Sequence, residues 1–291
     1  METKNVNLSS LQYRDLNEII TALVGKYQTE YIICFGCKNE EKATSSCFID
    51  ALKQTDTHYF LLMITTEVTR IEHEVQDFVN GFSDKAKITI VVHCIETVKN
   101  GITQGSRFFT IVCRDGIQLF SANGLHIDID YPNLNPDTTL AKAEKNFYHR
   151  YCMALGFLEA AEECFDKEFY NNSVFMLHQA VEQACIAMIK VYLSYRSDIH
   201  NLSRLLNLCF CFSGEPAALF PRKTDEDQRL FQLLQKSYSD ARYKDEYKTT
   251  SQDADILCTT VRAFVELAEQ LCLERINHLR TAVEAVPNPT V

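Results

Sequence analysis

Phe169-Tyr170-Asn171-Asn172-Ser173-Val174-Phe175-Met176-Leu177-His178-Gln179-Ala180-Val181-Glu182-Gln183-Ala184 is the stretch on which the fold of this chain turns. Val174, Leu177, Val181, Ala184, Met188 and Val191 recur at three- and four-residue steps. That spacing lines side chains along one face of a helix and predicts a helix over residues 170–195. One helix cannot bury such a seam alone, so the seam calls for helical neighbours. The same periodicity runs through residues 140–166, 200–212, 225–242 and 251–286; the last carries Leu257, Val261, Phe264, Leu267, Ala268 and Leu271. Pro216 and Pro221 interrupt the chain before residue 225, and no strand pattern occurs in this half. The expectation is an all-α bundle of about five helices over residues 138–291.

Upstream, Tyr131-Pro132-Asn133-Leu134-Asn135-Pro136-Asp137 places two prolines and two asparagines in seven residues. Such a run disfavours both helix and ladder, so residues 131–137 read as a linker. Before it the apolar runs are short and rich in Ile, Val, Phe and Tyr: residues 31–35, 59–65, 88–95, 108–113 and 117–120. These are strand signatures. Arg114-Asp115-Gly116 between the last two reads as a hairpin turn. Two amphipathic helices are interleaved. Residues 8–27 carry Leu11, Leu16, Ile19, Ile20 and Leu23, and residues 69–82 carry Ile71, Val75, Phe78 and Val79. The fold class is therefore α+β in two domains, a small α/β domain over residues 1–130 and the helical bundle.

The 291 residues carry a formal charge of −10 shared about equally between the halves, which argues against broad coating of nucleic acid while leaving room for a local basic groove. A hydrophobic share of 46% is that of a globular chain and excludes disordered and fibrous classes. The best continuous apolar run, residues 60–64, is strand-sized, and the N-terminal METKNVNLSS is polar. Twelve cysteines without a regular frame read as reduced thiols, so a cytoplasmic protein with no membrane partner is expected. No DNA-specific motif is present.

The C-terminal half resembles the HEPN domain, an all-α bundle. The likeness is carried by Ala160-Ala161-Glu162, by the run from Phe169 to Ala184, by His200-Asn201-Leu202 with Leu205-Leu206, and by Leu233-Leu234-Gln235-Lys236-Ser237-Tyr238 leading into Ala241-Arg242-Tyr243. In active HEPN ribonucleases an Arg is followed after four to six residues by a His. The Arg holds phosphate and the His serves as acid or base. Arg242 stands at the matching stage, and Tyr243-Lys244-Asp245-Glu246-Tyr247-Lys248 contains no His. The resemblance thus implies a bundle that has lost ribonuclease chemistry, unless Tyr247 or His200 replaces the missing group beside Arg242. Arg196 and His200 stand too close in sequence for the motif. His200 or Asn201 is expected to cap the following helix and to pair with a buried carboxylate. His178, Gln179 and Glu182 share one side of their helix. They read either as contacts to a nucleotide or as a buried hydrogen-bonded network, with Glu162 and Glu163 as candidate partners. Arg222, Lys223, Arg229, Arg242, Lys244 and Lys248 are either phosphate ligands or ion-pair partners of Asp225, Glu226, Asp227, Asp245 and Glu246.

The N-terminal half resembles, in degenerate form, a minimal nucleotidyltransferase domain of the kanamycin-nucleotidyltransferase-like type. There a strand ends in Gly-Ser, which holds triphosphate, and the next strand opens Asp-x-Asp, which holds Mg²⁺. Here the frame is Tyr31-Ile32-Ile33-Cys34-Phe35-Gly36-Cys37 and His58-Tyr59-Phe60-Leu61-Leu62-Met63-Ile64. Cys37 takes the Ser position, His58 and Phe60 the carboxylate positions, and residues 88–95 offer no Asp. The resemblance implies a nucleotidyltransferase-like fold without the transfer reaction. Cys34 and Cys37 form a Cys-x-x-Cys, but with no helix predicted directly after Cys37 a redox pair is not expected. Zinc would need further ligands from among Cys47, His58, His93 and Cys94, which share no metal-site spacing. Cys209 and Cys211 read as packing.

These readings give a non-catalytic protein that binds nucleotide or RNA, with His178, Gln179, Glu182, Arg242, Lys244, Gly36 and Cys37 as candidate ligand contacts and no metal or cofactor. One alternative is a metal-independent ribonuclease using Arg242 with Tyr247 or His200. Another is a purely protein-interaction module. The HEPN resemblance also implies a homodimer formed through the helical bundle.

Overall fold

The computed structural model describes residues 6–46, 49–66, 71–82 and 86–285. The chain divides into two compact units, Met1–Asn133 and Leu134–Val291.

In the first unit, helix α1 (Ser10–Lys26) starts from a capping box in which Ser9 and Gln12 exchange side-chain and backbone bonds, and it buries Leu16, Ile19, Ile20 and Leu23. Strands β1 (Thr29–Ser46) and β2 (Ile49–Thr65) pair antiparallel. Helix α2 (Glu72–Phe82) leads to β3 (Ala86–Cys94), which lies parallel to β2. Then come α3 (Ile95–Thr103), α4 (Arg107–Asp115) and β4 (Ile117–Ser121), the last antiparallel to β1. The sheet order is β3-β2-β1-β4. One sheet face, with Ile32, Cys34, Tyr59, Leu61, Met63, Ile88, Ile90 and Val92, packs on α1 and α2. At the β3 edge the Gln76 side chain donates to Ile88 O (2.8 Å) and accepts from Ile90 N (3.0 Å), so a buried amide satisfies the strand's outer backbone groups.

Two expectations are corrected in this unit. Residues 108–113 are not a strand, and Arg114-Asp115-Gly116 is not a hairpin turn: Arg107–Asp115 is helical and Gly116 ends it. The β-branched run favours a strand locally, but Phe108 and Val112, one helical turn apart, are both buried. Tertiary packing has overridden propensity. Gly116 is required there, because a Cβ would lie 2.4 Å from Val112 O and 2.6 Å from Ile33 Cγ2. Nor does the chain leave the sheet at Cys37, since β1 continues to Ser46 and its hairpin with β2 fills the long segment between them.

The second unit is helical: α5 (Pro136–Asp166), α6 (Tyr170–Leu193), α7 (Leu202–Cys209), the four-residue α8 (Glu215–Ala218), α9 (Asp225–Tyr243) and α10 (Ser251–Glu284). The linker expected over residues 131–137 is shorter than its prolines imply. Pro136 occupies the first turn of α5, where no amide donor is needed, and Asn135 caps it by accepting from Thr138 N at 3.1 Å. Helix α6 is the centre of the bundle, packed by α5, α7, α9 and α10 and buried on every side from Ala180 through Ile189. Its length and mean hydropathy of 1.2 would allow it to cross a membrane, but 78% of its most apolar window is buried within the bundle. That is the pattern of a core helix.

Candidate functional site

Helix α6 sets His178 and Glu182 one turn apart, both buried. His200 precedes Asn201, whose side chain caps α7 by accepting from Arg204 N at 3.1 Å. This cap brings the imidazole to α6, where His200 Nδ1 lies 3.2 Å from Glu182 Oε1. The pairing with a buried carboxylate expected for this segment therefore forms, with Glu182; Glu162 and Glu163, the partners expected for His178, Gln179 and Glu182, are held elsewhere. Those two are engaged by Arg262 (2.7 Å) and Lys167. Gln183 Nε2 donates to the same Glu182 oxygen at 3.4 Å, and Arg150 Nη1 of α5 donates to Gln183 Oε1 at 2.6 Å. Glu182 Oε2 is buried and has no hydrogen-bond partner among the described residues.

Helix α9 supplies the opposite side. Tyr238 stacks on His200, with centroids 5.6 Å apart and planes 8° apart, and lies 5.3 Å from the His178 ring. One turn on, Arg242 Nε donates to Tyr238 O at 2.7 Å. The Arg242 guanidinium lies 4.5 Å from the Tyr238 ring centroid, 5.1 Å from that of Tyr243 and 5.6 Å from that of Phe175. Stacking on rings holds a guanidinium without neutralising it. Among the described residues no carboxylate pairs with Arg242, which is exposed. Two of the three weak catalytic candidates, Arg242 and His200, thus meet the same ring, and His178 and Glu182 lie behind them. Gln179 turns its amide to His178 Nδ1 at 3.2 Å.

Burial, with the nearby charges of His200 and Arg242, holds the His178 imidazole down at about 4, so it is neutral at physiological pH. Burial pushes the Glu182 carboxyl up, against the hydrogen bond and charge of His200 and the charge of Arg150. The depressed His178 value has a consequence for stability. Below about pH 6.5 the unfolded chain takes up a proton that the folded chain refuses until about pH 4, so stability falls with pH across that window. The His178 contribution to this loss is about 2 kcal/mol between pH 7 and pH 5, at roughly 1.4 kcal/mol per unit below the unfolded value, and the raised Glu182 carboxyl acts in the opposite direction. Urea unfolding at the two pH values measures it. His178→Gln should reduce the slope, and an identical pH dependence in that variant would contradict the assignment.

Three of the remaining basic candidates, Lys244, Arg229 and Arg222, are engaged otherwise. Lys244 pairs with Asp240 at 2.9 Å. Arg229 bridges Glu226 (2.7 Å) and Asp253. Arg222 lies 4.2 Å from the Phe231 ring centroid. The pairing carboxylates are thus Asp240, Glu226 and Asp253, not Asp245 or Glu246, because one-turn spacing and the α9–α10 contact decide reach. Lys248 lines a separate cavity of about 360 Å³ with Glu168, Phe169, Tyr170, Asn171, Asn172 and Thr249. Tyr247 is held by its own bonds: its hydroxyl donates to Leu233 O at 3.1 Å, and its carbonyl accepts from Asn171 Nδ2 at 2.8 Å. Burial pushes its phenol up, so it is a poor acid or base at neutral pH.

In the first unit Gly36 and Cys37 sit within the sheet. The register shift between Cys34 and Gly36 makes Phe35 an extra residue, so Cys34 pairs with Leu61 and Cys37 with Tyr59 on one face. Burial pushes both thiols up, Cys34 to about 12. Protonated thiols are weak nucleophiles. Cys37 Sγ accepts from Gln12 Nε2 at 3.4 Å. On the other face His58 Nε2 lies 2.8 Å from Thr89 Oγ1, and its ring stacks on Phe60 at 4.6 Å. Phe35 lies 6.2 Å from Phe60 and 5.4 Å from Phe108 of α4. Burial, with Lys87 and Lys38, holds His58 down at about 4. The two positions at which the nucleotidyltransferase resemblance puts carboxylates are therefore aromatic and packed, a donor set that does not fit a hard, oxygen-seeking divalent cation. Cys47 lies outside the described residues. Among the described residues no cluster of three or more His, Cys, Asp or Glu side chains has metal-binding proximity.

Tyr238 of α9, Gln183 of α6 and Arg150 of α5 complete the cluster, and none of them is named as a site residue from sequence alone. Tyr238 could have been found from its one-turn spacing to Arg242.

Residues 149–271 match the HEPN domain family. A crystal structure of a nucleotidyltransferase-like protein from Exiguobacterium sibiricum is similar to this chain at 11% identity, over 90% of this chain and 78% of that one, with a TM-score of 0.28. No curated protein matches.

Proposed function

We infer from a chain that carries a HEPN domain over residues 149–271 that it is a non-catalytic nucleotide- or RNA-binding protein. Its ligand phosphate is taken at the corner of the bundle formed by Arg242, Tyr238 and His200. The observation that carries this reading is the state of Arg242: exposed, stacked on Tyr238, Tyr243 and Phe175, and joined to no carboxylate among the described residues. A guanidinium so placed keeps its charge and its Nη donors for an incoming phosphate, while Nε is held by Tyr238 O. The first unit acts in this reading as a silent nucleotidyltransferase-like scaffold, since His58 and Phe60 replace metal-binding carboxylates with an aromatic stack. The net charge of −10 agrees with a local contact rather than a nucleic-acid-coating surface. The protein is proposed to be cytoplasmic and to dimerise through the bundle; light scattering at tens of micromolar reads the latter, a dimer being expected and a monomer counting against it.

A second reading, metal-independent RNA cleavage, is favoured by one observation, the His200–Glu182 pair beside Arg242. An imidazole braced by a carboxylate can take the ribose 2′ proton while the hydroxyl attacks the adjacent phosphorus and the 5′ oxygen leaves. The two readings separate in one experiment with end-labelled single-stranded RNA in EDTA. Saturable binding without cleavage is the expected result. Cleavage abolished by His200→Gln and by Arg242→Ala would replace the first reading by the second.

A further inference from the structure

Glu182 is too deeply placed to meet a ligand itself: its side chain is 5% exposed, while that of His200, bonded to it, is 58% exposed. We propose that His200 is a second phosphate contact at the Arg242 corner, held in position by Glu182, and that ligand binding there takes up one proton on His200. This rests on the phosphate-binding reading of that corner and adds its regulation.

A carboxylate can only accept, so the bond to Glu182 Oε1 keeps the hydrogen of the neutral imidazole on Nδ1. Nε2 then carries a bare lone pair, which repels a phosphate oxygen. Protonation converts Nε2 into a donor while Nδ1 keeps its bond to Glu182, so only the charged ring holds both partners at once. Tyr238 fixes the plane of the ring by stacking within 8° of parallel, which aims Nε2 rather than leaving it to rotate.

The groups facing His200 set the balance. From α6 come Glu182, which favours the proton, and His178, which stays neutral down to about pH 4 and so cannot be the titrating partner. From α9 come the Tyr238 ring and, 4.5 Å from that ring's centroid, the Arg242 guanidinium, a second positive charge for a phosphate held at this corner. From α5 Arg150 donates to Gln183, and its charge also acts on the Glu182 carboxyl. In the segment before His200, Arg196 and Asp198 pair with each other at 3.3 Å. A ligand that brings negative charge therefore stabilises the protonated ring, and by linkage a proton on the ring tightens the ligand.

The test uses the full chain with two probes, a fluorescein-labelled oligouridylate and ATP, each titrated between about pH 5.5 and 7.5 at constant ionic strength. The wild-type affinity for the bound probe should weaken about tenfold over that range, within the one-decade-per-unit limit of a single linked proton. His200→Gln, whose amide can still donate to Glu182, should bind with a flat pH profile. Glu182→Gln should bind weakly at pH 5.5, close to the wild type at pH 7.5, if its role is to orient and charge His200. The NMR titration midpoint of the His200 ring should rise on saturation with the probe, a readout that a merely structural role would not move. Response to the oligouridylate alone identifies a polymer phosphate, and response to ATP a free nucleotide. Binding with no pH dependence, or a pH dependence that survives in His200→Gln, overturns this proposal and leaves the phosphate site standing. Absence of binding to both probes at every pH overturns the two together.

Discussion

Phe264→Ala is expected to lower the stability of the helical unit by about 3–5 kcal/mol, the range for emptying a buried phenylalanine site. Phe264 of α10 is 0% exposed, and its ring lies 5.2 Å from that of Phe220, which in turn lies 5.7 Å from Phe231 of α9. The three rings tie the segment after α8 to α9 and α10. Truncation removes both the transfer free energy and the edge contacts of one ring, and Phe220 has limited freedom to collapse into the space. Urea unfolding monitored by circular dichroism reads the loss. A change under about 1 kcal/mol would mean that the ring is not packed where the structure puts it.

The second large effect is on ligand binding. Arg242→Ala should weaken binding of the labelled oligouridylate or of ATP by about ten- to a hundredfold, corresponding to loss of charged hydrogen bonds of about 1.5–3 kcal/mol. Unfolding free energy should change little, because Arg242 is exposed and gives up a bond to a backbone carbonyl and contact with rings but no ion pair. Arg242→Lys should recover only part of the affinity, since an ammonium keeps the charge without the flat fork that stacks on Tyr238. Lys244→Ala is the internal control: its ammonium already belongs to Asp240 and its loss should shift affinity less than about twofold. Equal losses for Arg242→Ala and Lys244→Ala, by anisotropy at one salt concentration, would indicate a diffuse field in place of a site.

The helical half was the more legible because its chemistry repeats. Seams such as Val174-Leu177-Val181-Ala184 and Val261-Phe264-Ala268-Leu271 repeat at helical spacing, and α5, α6, α9 and α10 follow them within a few residues of the expected ends. Residues 108–113 failed the same reading because Phe108-Phe109-Thr110-Ile111-Val112 satisfies strand propensity, while its helical form buries Phe108 against a distant ring, Phe35. Pro136 misled for a different reason: proline stops a helix only from inside it and starts one readily. The α3 helix went unnoticed because its cap is Cys94, whose sulfur accepts from Thr97 N, an uncommon capping residue.

The site was half legible. Spacing along α6 set His178 with Glu182, and the HEPN resemblance singled out Arg242, but nothing local reveals that His200 turns back to Glu182 or that Tyr238 meets both His200 and Arg242. Those contacts join α6, the segment that leads into α7, and α9, and they arise only when the bundle closes. Sequence spacing likewise could not tell which cations are already neutralised. Arg229 and Lys244 find carboxylates on α9 and α10, and Arg242, on the same helix, finds aromatic rings.

The most direct test of a phosphate site at the Arg242 corner is an NMR titration of the isotopically labelled full chain with ATP and with oligouridylate, following the Arg242 Nε–H, the Tyr238 ring and the His200 ring together with the Gly36 and Cys37 amides. The account predicts saturable shifts at Arg242, Tyr238 and His200 with the first-unit amides unmoved. Saturable shifts at Gly36 and Cys37 with Arg242 unmoved, or no shifts at millimolar ligand, would contradict it.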